Sequence, residues 1–198
     1  MGLSNLKLLL SRWRGKNILR KIAFAQMTEW ITFFRMNTIG EKKYLWAKIL
    51  FLTAGVVALD RITKNAIMSC LNYGASVKVA GDFFRLTYVQ NPGGAFGTRL
   101  GGNIFYIVAA SIALFVLILW MIKHQHSAVG ITGLALMLGG ALGNLWDRFT
   151  IGRVIDFIDV GVGATRWPTF NIADSAITIG ICLLIIQELF LSPTGRVE

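Results

Sequence analysis

Residues 103–122 read NIFYIVAASIALFVLILWMI, twenty consecutive positions without a charged side chain. A helix needs about 20 apolar residues to cross the hydrocarbon core of a bilayer, so this stretch predicts a transmembrane helix. Residues 128–146 and 175–191 are similarly apolar, the latter with a single glutamate. A fourth apolar stretch, residues 45–59, contains Lys48 near its start, where a long side chain can reach the interface. The sequence therefore predicts a polytopic α-helical membrane protein with four transmembrane helices.

The composition also indicates a membrane protein. Of the 198 residues, 55% are hydrophobic and only 15% are charged, whereas a soluble domain carries about 25% charged residues. The net charge of +10 favours attraction to anionic membrane lipids, and no nucleic acid partner is expected. Nine basic residues precede Tyr44, and this excess predicts a cytoplasmic N-terminus. Four crossings then return the C-terminus to the cytoplasm.

The pattern along the chain predicts three parts. Residues 1–43 are a basic cytoplasmic extension, either an amphipathic helix on the membrane surface or a poorly ordered tail. Residues 44–191 form the membrane domain, and residues 192–198 form a short cytoplasmic tail. Between the first two spans, the alternating residues 76–79 and 83–89 predict a small extracytoplasmic β-sheet on the outer membrane surface.

Cysteine and histidine are too sparse to predict a disulfide framework or a metal site. Cys182 lies inside the last span and Cys70 lies outside the first, so a disulfide between them is not expected. His124 and His126 lie in a predicted cytoplasmic turn, far from the acidic residues. No metal and no organic cofactor is therefore predicted.

Charged residues collect where three of the spans end on the predicted outer side. Asp60 and Lys64 are four residues apart at the end of the first span, a favourable spacing for a helical ion pair. Asp147 and Arg148 end the third span. For these four residues the residue pattern favours interfacial anchoring and ion pairing. For Asp159 it favours a solvated loop position.

Asp156 and Asp174 differ because each is flanked by apolar residues, in Val154–Phe157 and Phe170–Ser175. A carboxylate beside hydrocarbon is costly to desolvate. Two neighbouring carboxylates share a proton, so that one can activate water while the other protonates a carbonyl oxygen or a leaving amine. The residues alone leave open whether the two are such a pair or are interfacial carboxylates.

Five segments together resemble the lipoprotein signal peptidase family, signal peptidase II. Any one of them is a weak signal, but all five follow the family's order between residues 45 and 191. The segments are Asp60–Lys64, Asn91–Phe96, Gly143–Arg148, Val154–Phe157 and Phe170–Ser175. Two departures are the long extension before residue 44 and Gly94, where the family often has alanine.

The resemblance implies an aspartyl endopeptidase of the bacterial inner membrane. Such enzymes remove the signal peptide from diacylglyceryl-modified prolipoproteins by cleaving just before the lipidated cysteine. The resemblance implies Asp156 and Asp174 as the catalytic dyad near the periplasmic face, with the sheet as a cradle over the substrate. A monomer is expected. The residues that would line or support the site are Asn91, Gly93, Asn144, Arg148 and Asn171, with Asp60, Lys64 and Asp147 organising the rim.

Two other functions remain as alternatives. A small proton-coupled transporter subunit also carries intramembrane carboxylates, although such relays place an acid near mid-span, and here the second and third spans contain none. A membrane scaffold would use the basic extension to bind a partner. That hypothesis predicts loss of function when residues 1–36 are deleted and none in Asp156→Asn.

Overall fold

The computed structural model describes residues 39–94, 101–123 and 127–191. The chain divides into two compact units, Met1–Ala47 and Lys48–Glu198. Within the first unit, the described residues are the first turns of a long helix. Most of the predicted basic extension and the predicted C-terminal tail lie outside the described residues.

Four α-helices and four strands are present among the described residues. The chain continues from the last helix into a π-helical turn, Gln187–Leu191. In chain order the elements are α1 (Ile39–Cys70), β1 (Ser76–Ala80), β2 (Phe84–Asn91), α2 (Asn103–Lys123), α3 (Ala128–Thr150), β3 (Val154–Val162), β4 (Thr165–Arg166) and α4 (Ile172–Ile186).

Three of the described helices are long and apolar enough to cross a membrane, namely Asn103–Ile122, Ala128–Thr150 and Ile172–Phe190. They correspond to the second, third and fourth predicted spans. The first predicted span lies inside α1, which has 32 residues and carries more charged side chains than the other three helices. The prediction of apolar helices of membrane-spanning length with a small sheet is therefore confirmed, while the count of four crossings stays a prediction.

The sheet is antiparallel throughout, in the order β1-β2-β3-β4. Apolar-polar alternation predicted β1 and β2, and both are present within a residue or two of the expected bounds. The segment between α3 and α4 was expected to be a loop, but it contains β3 and β4. β3 pairs along β2, so that Val89 lies opposite Asp156.

The prediction for Asp159 was wrong. This residue lies on β3 and is only 8% exposed. Its Oδ2 accepts a hydrogen bond from Thr87 Oγ1 at 2.8 Å, and its Oδ1 accepts one from Arg166 Nε at 2.6 Å. Burial alone raises the pKa of Asp159, but the hydrogen bonds from Arg166 and Thr87 outweigh burial and hold this pKa below its ordinary value. Asp159 is thus a sheet residue that ties β2, β3 and β4 together.

Glycines on α3 let two other helices approach it closely. A Cβ at Gly140 would lie 2.3 Å from the carbonyl oxygen of Ala173 on α4. A Cβ at Gly139 would lie 2.6 Å from the Cβ of Val56 on α1. Neither position leaves room for a side chain. Small residues at such positions permit transmembrane helices to approach closely. α1, α3 and α4 therefore converge beside the start of α4.

Candidate active site

β3 and α4 carry the two aspartates expected to act as a pair. Asp156 lies on β3 and is 3% exposed. Asp174 lies in the first turn of α4, because this helix begins at Ile172 and not at residue 175 as the apolar pattern predicted. Asn171 caps the helix: its Oδ1 accepts from Asp174 N at 2.9 Å, and Asp174 Oδ2 accepts from Asn171 N at 3.2 Å. This reciprocal pair is a capping box, which fixes the Asp174 carboxylate at the helix start.

Asn171 also connects the two aspartates. Its Nδ2 donates a hydrogen bond to Asp156 Oδ1 at 2.7 Å. The same nitrogen lies 3.2 Å from the carbonyl oxygen of Ile155 and 3.2 Å from Asn144 Oδ1. The Asn171 side chain is fully buried, so all of these contacts are shielded from water. Asn171 therefore contacts both carboxylates, that of Asp156 through its side chain and that of Asp174 through its backbone N–H.

Asn144 on α3 contacts the other side of Asp174. Its Nδ2 donates to Asp174 Oδ1 at 2.7 Å. Its Oδ1 accepts from Lys64 Nζ at 3.2 Å. An amide can be placed in two orientations, and the ammonium group of Lys64 selects the one that presents the NH2 group to Asp174. Lys64 thus determines which end of Asn144 faces the carboxylate.

Lys64 is the centre of a buried ion cluster. Its Nζ lies 2.8 Å from Asp60 Oδ2 and 2.8 Å from Asp147 Oδ2, and all three side chains are fully buried. Arg61 forms an ion pair with the other oxygen of Asp147. A buried ion pair is costly to desolvate, and complete pairing is what makes such a cluster tolerable. The predicted pair of Asp60 with Lys64 is confirmed.

The carboxylates of Asp60 and Asp147 also accept hydrogen bonds from backbone N–H groups that lie next to Asp174 and Asp156 in the chain. Asp60 Oδ1 accepts from Ala173 N, in the first turn of α4, at 3.1 Å. Asp147 Oδ2 accepts from Ile155 N, the residue before Asp156, at 3.2 Å. The ion cluster therefore fixes the backbone of both segments that carry the two aspartates.

Arg148 does not form the expected partnership with Asp147. Its Nη2 donates to the carbonyl oxygen of Gly93 at 2.6 Å. Gly93 N in turn donates to Asn91 Oδ1 at 2.9 Å, which closes a tight turn after β2. Asn91 makes a side-chain hydrogen bond with Asp156. The structure thus brings all ten predicted site residues into one connected network.

The environment of Asp156 changes its acidity. Burial first, and the negative charge of Asp174 second, raise the pKa of Asp156 from 3.8 to about 7. Hydrogen bonds from Asn91 and Asn171 oppose this rise without cancelling it. Asp156 and Asp159 lie on one strand, and their pKa values move in opposite directions because only Asp159 is paired with a cation.

Sequence reasoning missed Arg61, Asn103 and Tyr106. Tyr106 on α2 faces the Arg148 guanidinium, with 4.7 Å from the ring centroid to Cζ. Asn103 Nδ2 donates to the carbonyl oxygen of Arg148 at 2.9 Å. Asn103 and Tyr106 are each more than 40 positions from Arg148, so sequence spacing did not predict these contacts. The one available signal was a polar residue, Asn103, at the start of the apolar stretch.

The described residues contain no group of three or more histidine, cysteine, aspartate or glutamate side chains arranged to hold a metal ion. Cys70 and Cys182 are free and exposed. The two histidines named from the sequence, His124 and His126, lie outside the described residues.

Comparison with known proteins supplies the family. The sequence profile of signal peptidase (SPase) II matches residues 52–190, which is more than half of the chain. The chain belongs to the signal peptidase II family. All ten site residues lie within the matched range.

Curated relatives agree with the signal peptidase II assignment. A lipoprotein signal peptidase of Desulforapulum autotrophicum is 40% identical over 149 residues, which cover 72% of this chain and 92% of the relative. A lipoprotein signal peptidase of Burkholderia thailandensis is 45% identical over 138 residues, which cover 68% of this chain and 82% of the relative. A lipoprotein signal peptidase of Syntrophus aciditrophicus is 43% identical over 147 residues, which cover 70% of this chain and 91% of the relative.

Solved structures share the fold. A structure described as a bacterial membrane enzyme at 2.3 Å resolution superposes with a TM-score of 0.69 at 34% identity, covering 77% of this chain and 93% of the other. A second bacterial membrane enzyme structure, at 1.9 Å resolution, gives a TM-score of 0.66 at 36% identity, covering 73% of this chain and 94% of the other.

Proposed function

We propose that this chain is an aspartic endopeptidase that removes the signal peptide from diacylglyceryl-modified prolipoproteins, cleaving just before the lipidated cysteine. Membership of the signal peptidase II family makes it a signal peptidase, and the relatives named lipoprotein signal peptidase make prolipoproteins its substrates. The catalytic groups are Asp156 and Asp174. The network that binds and supports them contains Asn91, Gly93, Asn144, Arg148, Asn171, Asp60, Lys64 and Asp147.

The observation that carries the proposal is the bridging of the Asp156 and Asp174 carboxylates by one buried residue, Asn171. Asn171 donates to Asp156 through its side chain and forms the capping box with Asp174. Two carboxyl groups held in this way share a proton. The ionised one can accept a proton from water as it attacks the scissile carbonyl, and the protonated one can donate to the carbonyl oxygen or the leaving amine.

The contacts favour a particular division of labour between the two groups. Asp174 accepts from Asn144 Nδ2 and from Asn171 N, and it lies at the positive end of the α4 dipole. These donors stabilise a carboxylate. Asp156 has a pKa of about 7 and therefore retains a proton near neutrality. We assign the general base to Asp174 and the proton donor to Asp156, within a pair that titrates as a unit.

The charge of the buried cluster agrees with a single shared proton. Three cations and four carboxylates face one another here. One protonated carboxyl group makes this set neutral, and Asp60 and Asp147 are already paired with cations. The cations are Arg61, Lys64 and Arg148, and the carboxylates are Asp60, Asp147, Asp156 and Asp174.

The proposed enzyme is a monomer in the bacterial inner membrane, with both termini in the cytoplasm and the site near the periplasmic face. Residues 44–191 form the peptidase domain, with flanking segments 1–43 and 192–198. α1 is the fourth crossing: at about 1.5 Å per residue its 32 residues are longer than a bilayer core. Two of its charges, Asp60 and Lys64, are buried and pair with each other.

Thiol labelling tests the fourth crossing. In the Cys182→Ala variant, Cys70 at the end of α1 is the only cysteine. A membrane-impermeant maleimide added to intact spheroplasts should label it if α1 crosses the membrane. Labelling only after lysis would place this end of α1 in the cytoplasm and refute the proposed topology.

Cleavage of a diacylglyceryl-modified prolipoprotein by purified protein in detergent tests the activity. Wild type should release the signal peptide, whereas Asp156→Asn and Asp174→Asn should each lose activity by roughly 100-fold or more, because each removes an acid–base group. Asp82→Asn is the matched control, since Asp82 lies in the exposed turn between β1 and β2. Equal loss in the control, or substantial cleavage by either dyad variant, would refute the assignment.

A further inference from the structure

Tyr106 is an exception on its helix. Most large apolar side chains of α2 are exposed, as Ile112 and Phe115 show at 58% and 61%. Tyr106 is only 8% exposed, and its ring faces the guanidinium of Arg148 at 4.7 Å. The network around the aspartates is built from α1, α3, α4 and the sheet. Tyr106 therefore connects α2 to this network.

Asn103 reinforces this contact from one turn earlier. Its Nδ2 donates to the carbonyl oxygen of Arg148 at 2.9 Å, near the end of α3. Carbonyls in the last turn of a helix have no partner within the helix, so a side-chain donor from a neighbouring helix stabilises them. Residues three apart lie on the same face of a helix. One face of α2 therefore holds both the backbone and the side chain of Arg148.

Arg148 transmits this restraint toward Asp156. Its Nη2 donates to the carbonyl oxygen of Gly93 at 2.6 Å. Gly93 N donates to Asn91 Oδ1 at 2.9 Å, and the Asn91 side chain hydrogen-bonds to Asp156. Asn91 Nδ2 also donates to the carbonyl oxygen of Gly94 at 3.3 Å, within the same turn. The path from the ring of Tyr106 toward Asp156 therefore runs through Arg148 and the turn that Asn91 closes.

An aromatic face suits this task because it holds a guanidinium without occupying its N–H donors. Nη2 is used by Gly93, while Nη1 is buried and has no hydrogen-bond partner among the described residues. A carboxylate in place of the ring would pair with that donor and neutralise the charge. The ring instead leaves Nη1 without a competing acceptor.

We propose that Tyr106 is a positioning residue for the peptidase: its ring fixes the Arg148 guanidinium, which holds the Asn91–Gly93 turn against Asp156. This inference rests on the proposed function, since it concerns the same aspartate pair. The role proposed for the ring is indirect. Its effect reaches Asp156 through Arg148 and Asn91.

The test compares Tyr106→Leu and Tyr106→Phe with wild type in the prolipoprotein cleavage assay. Cation–π contacts are worth about 0.5–2 kcal/mol, so Tyr106→Leu should lower kcat by roughly 3- to 30-fold. Tyr106→Phe keeps the ring and should therefore lose less of kcat than Tyr106→Leu. Phe115→Leu, an exposed aromatic on the same helix, is the control and should match wild type.

The pH profile separates positioning from a loss of folded protein. The hydrogen bond from Asn91 lowers the pKa of Asp156, so a loosened turn should raise that pKa. The alkaline limb of the Tyr106→Leu profile should therefore move to higher pH. A smaller amount of folded enzyme would lower the whole profile without moving the limb.

A double-mutant cycle decides whether the ring acts through Arg148. In the Arg148→Lys background, Tyr106→Leu should have little further effect, because the planar guanidinium is already gone. Additive losses would overturn the inference, as would equal losses in the leucine and phenylalanine variants. If Tyr106→Leu does not fold, Tyr106→Met takes its place in every arm.

Failure of this inference can be told apart from failure of the proposed function. If wild type does not cleave the lipidated substrate, the proposed function fails. If wild type cleaves, Asp156→Asn does not, and Tyr106→Leu retains full kcat with an unmoved alkaline limb, only the role of Tyr106 is refuted.

Discussion

The α3–α4 pair has a polar cluster at each end, and the two differ in charge. At one end, the amide cluster of Ser127 and Gln187 caps the start of α3: Gln187 Oε1 accepts from Ser127 N at 3.0 Å and from Ser127 Oγ at 2.9 Å. At the other end, the carboxylate cluster caps the start of α4. The carboxylate cluster comprises Asp60, Lys64, Asp147, Asp156 and Asp174.

Both clusters solve the same structural problem, since each supplies acceptors to N–H groups that a helix start leaves unpaired. Ser127 Oγ accepts from Gly130 N at 3.2 Å, and Asp60 Oδ1 accepts from Ala173 N at 3.1 Å. A neutral pair is sufficient for this purpose at the start of α3. The additional charged groups at the start of α4 are therefore not required for capping. The excess of carboxylates over cations there is consistent with the proposed acid–base role.

Removal of the central cation should have the largest effect on the carboxylate cluster. Lys64→Met leaves Asp60 and Asp147 buried with one cation fewer, and breaking a buried ion pair in this way costs about 3–5 kcal/mol. We expect a large drop in the thermal midpoint in detergent and loss of cleavage. The double variant Lys64→Met with Asp60→Asn should recover part of the stability. A midpoint equal to that of wild type would show that the cluster is not tightly coupled.

The pH dependence of cleavage should report the raised pKa of Asp156. Above about pH 7 the shared proton is lost, and the rate should fall roughly tenfold for each further pH unit. Measurement of kcat between pH 5 and 9 checks this. A rate that stays constant up to pH 9 would contradict the assignment of the proton to Asp156.

Stability should vary with pH for the same reason and in a definite direction. The pKa of Asp156 rises from 3.8 to about 7 on folding, so between these values the folded protein holds a proton that the unfolded chain has released. Stability therefore falls as pH rises through this window. Asp156→Asn should unfold at a higher temperature than wild type above pH 7, with the difference vanishing toward pH 4. If Asp156→Asn raised the unfolding temperature equally at pH 4 and above pH 7, the stabilisation would have a cause other than the proton on Asp156.

Disruption of the amide cluster should affect stability alone. Gln187→Leu removes the acceptor of two hydrogen bonds from Ser127 and should lower the free energy of unfolding by about 1–2 kcal/mol. Cleavage at a permissive temperature should remain near the wild-type rate. Ile185→Leu, at an exposed position two residues earlier, is the control. A loss of activity comparable with that of Lys64→Met would remove the distinction between the clusters.

Deletion of residues 1–36 should have the smallest effect. The family match begins at residue 52, and the site residues begin at Asp60. The truncated protein should cleave the prolipoprotein at the wild-type rate in detergent, measured beside the full chain. Loss of function on truncation, with Asp156→Asn still functional, would instead support the scaffold hypothesis.

Much of the fold was predictable from local patterns. Apolar runs of about bilayer length predicted α2, α3 and α4, because side chains that face lipid must be apolar. Alternation predicted β1 and β2. β3 was missed because Asp156 and Asp159 interrupt its apolar run, and because its partner β2 is distant in the chain.

The site was only partly predictable. Flanking apolar residues marked Asp156 and Asp174, and the family resemblance named their neighbours. Neither source indicated that Asp147 pairs with Lys64 and Arg61 or that Arg148 turns toward Gly93 and Tyr106. Adjacent residues on a helix point about 100° apart, so Asp147 and Arg148 face different neighbours.

The amino-acid sequence is enough to establish a membrane protein with two unusual aspartates, because hydropathy and charge are local properties of the chain. The tertiary structure decides how those aspartates are held. Asn171 reaches Asp156, and Lys64 orients Asn144 toward Asp174, only because α1, α3, α4 and β3 converge at closely packed glycines. The raised pKa of Asp156 is a product of that burial, and burial is a property of the folded chain.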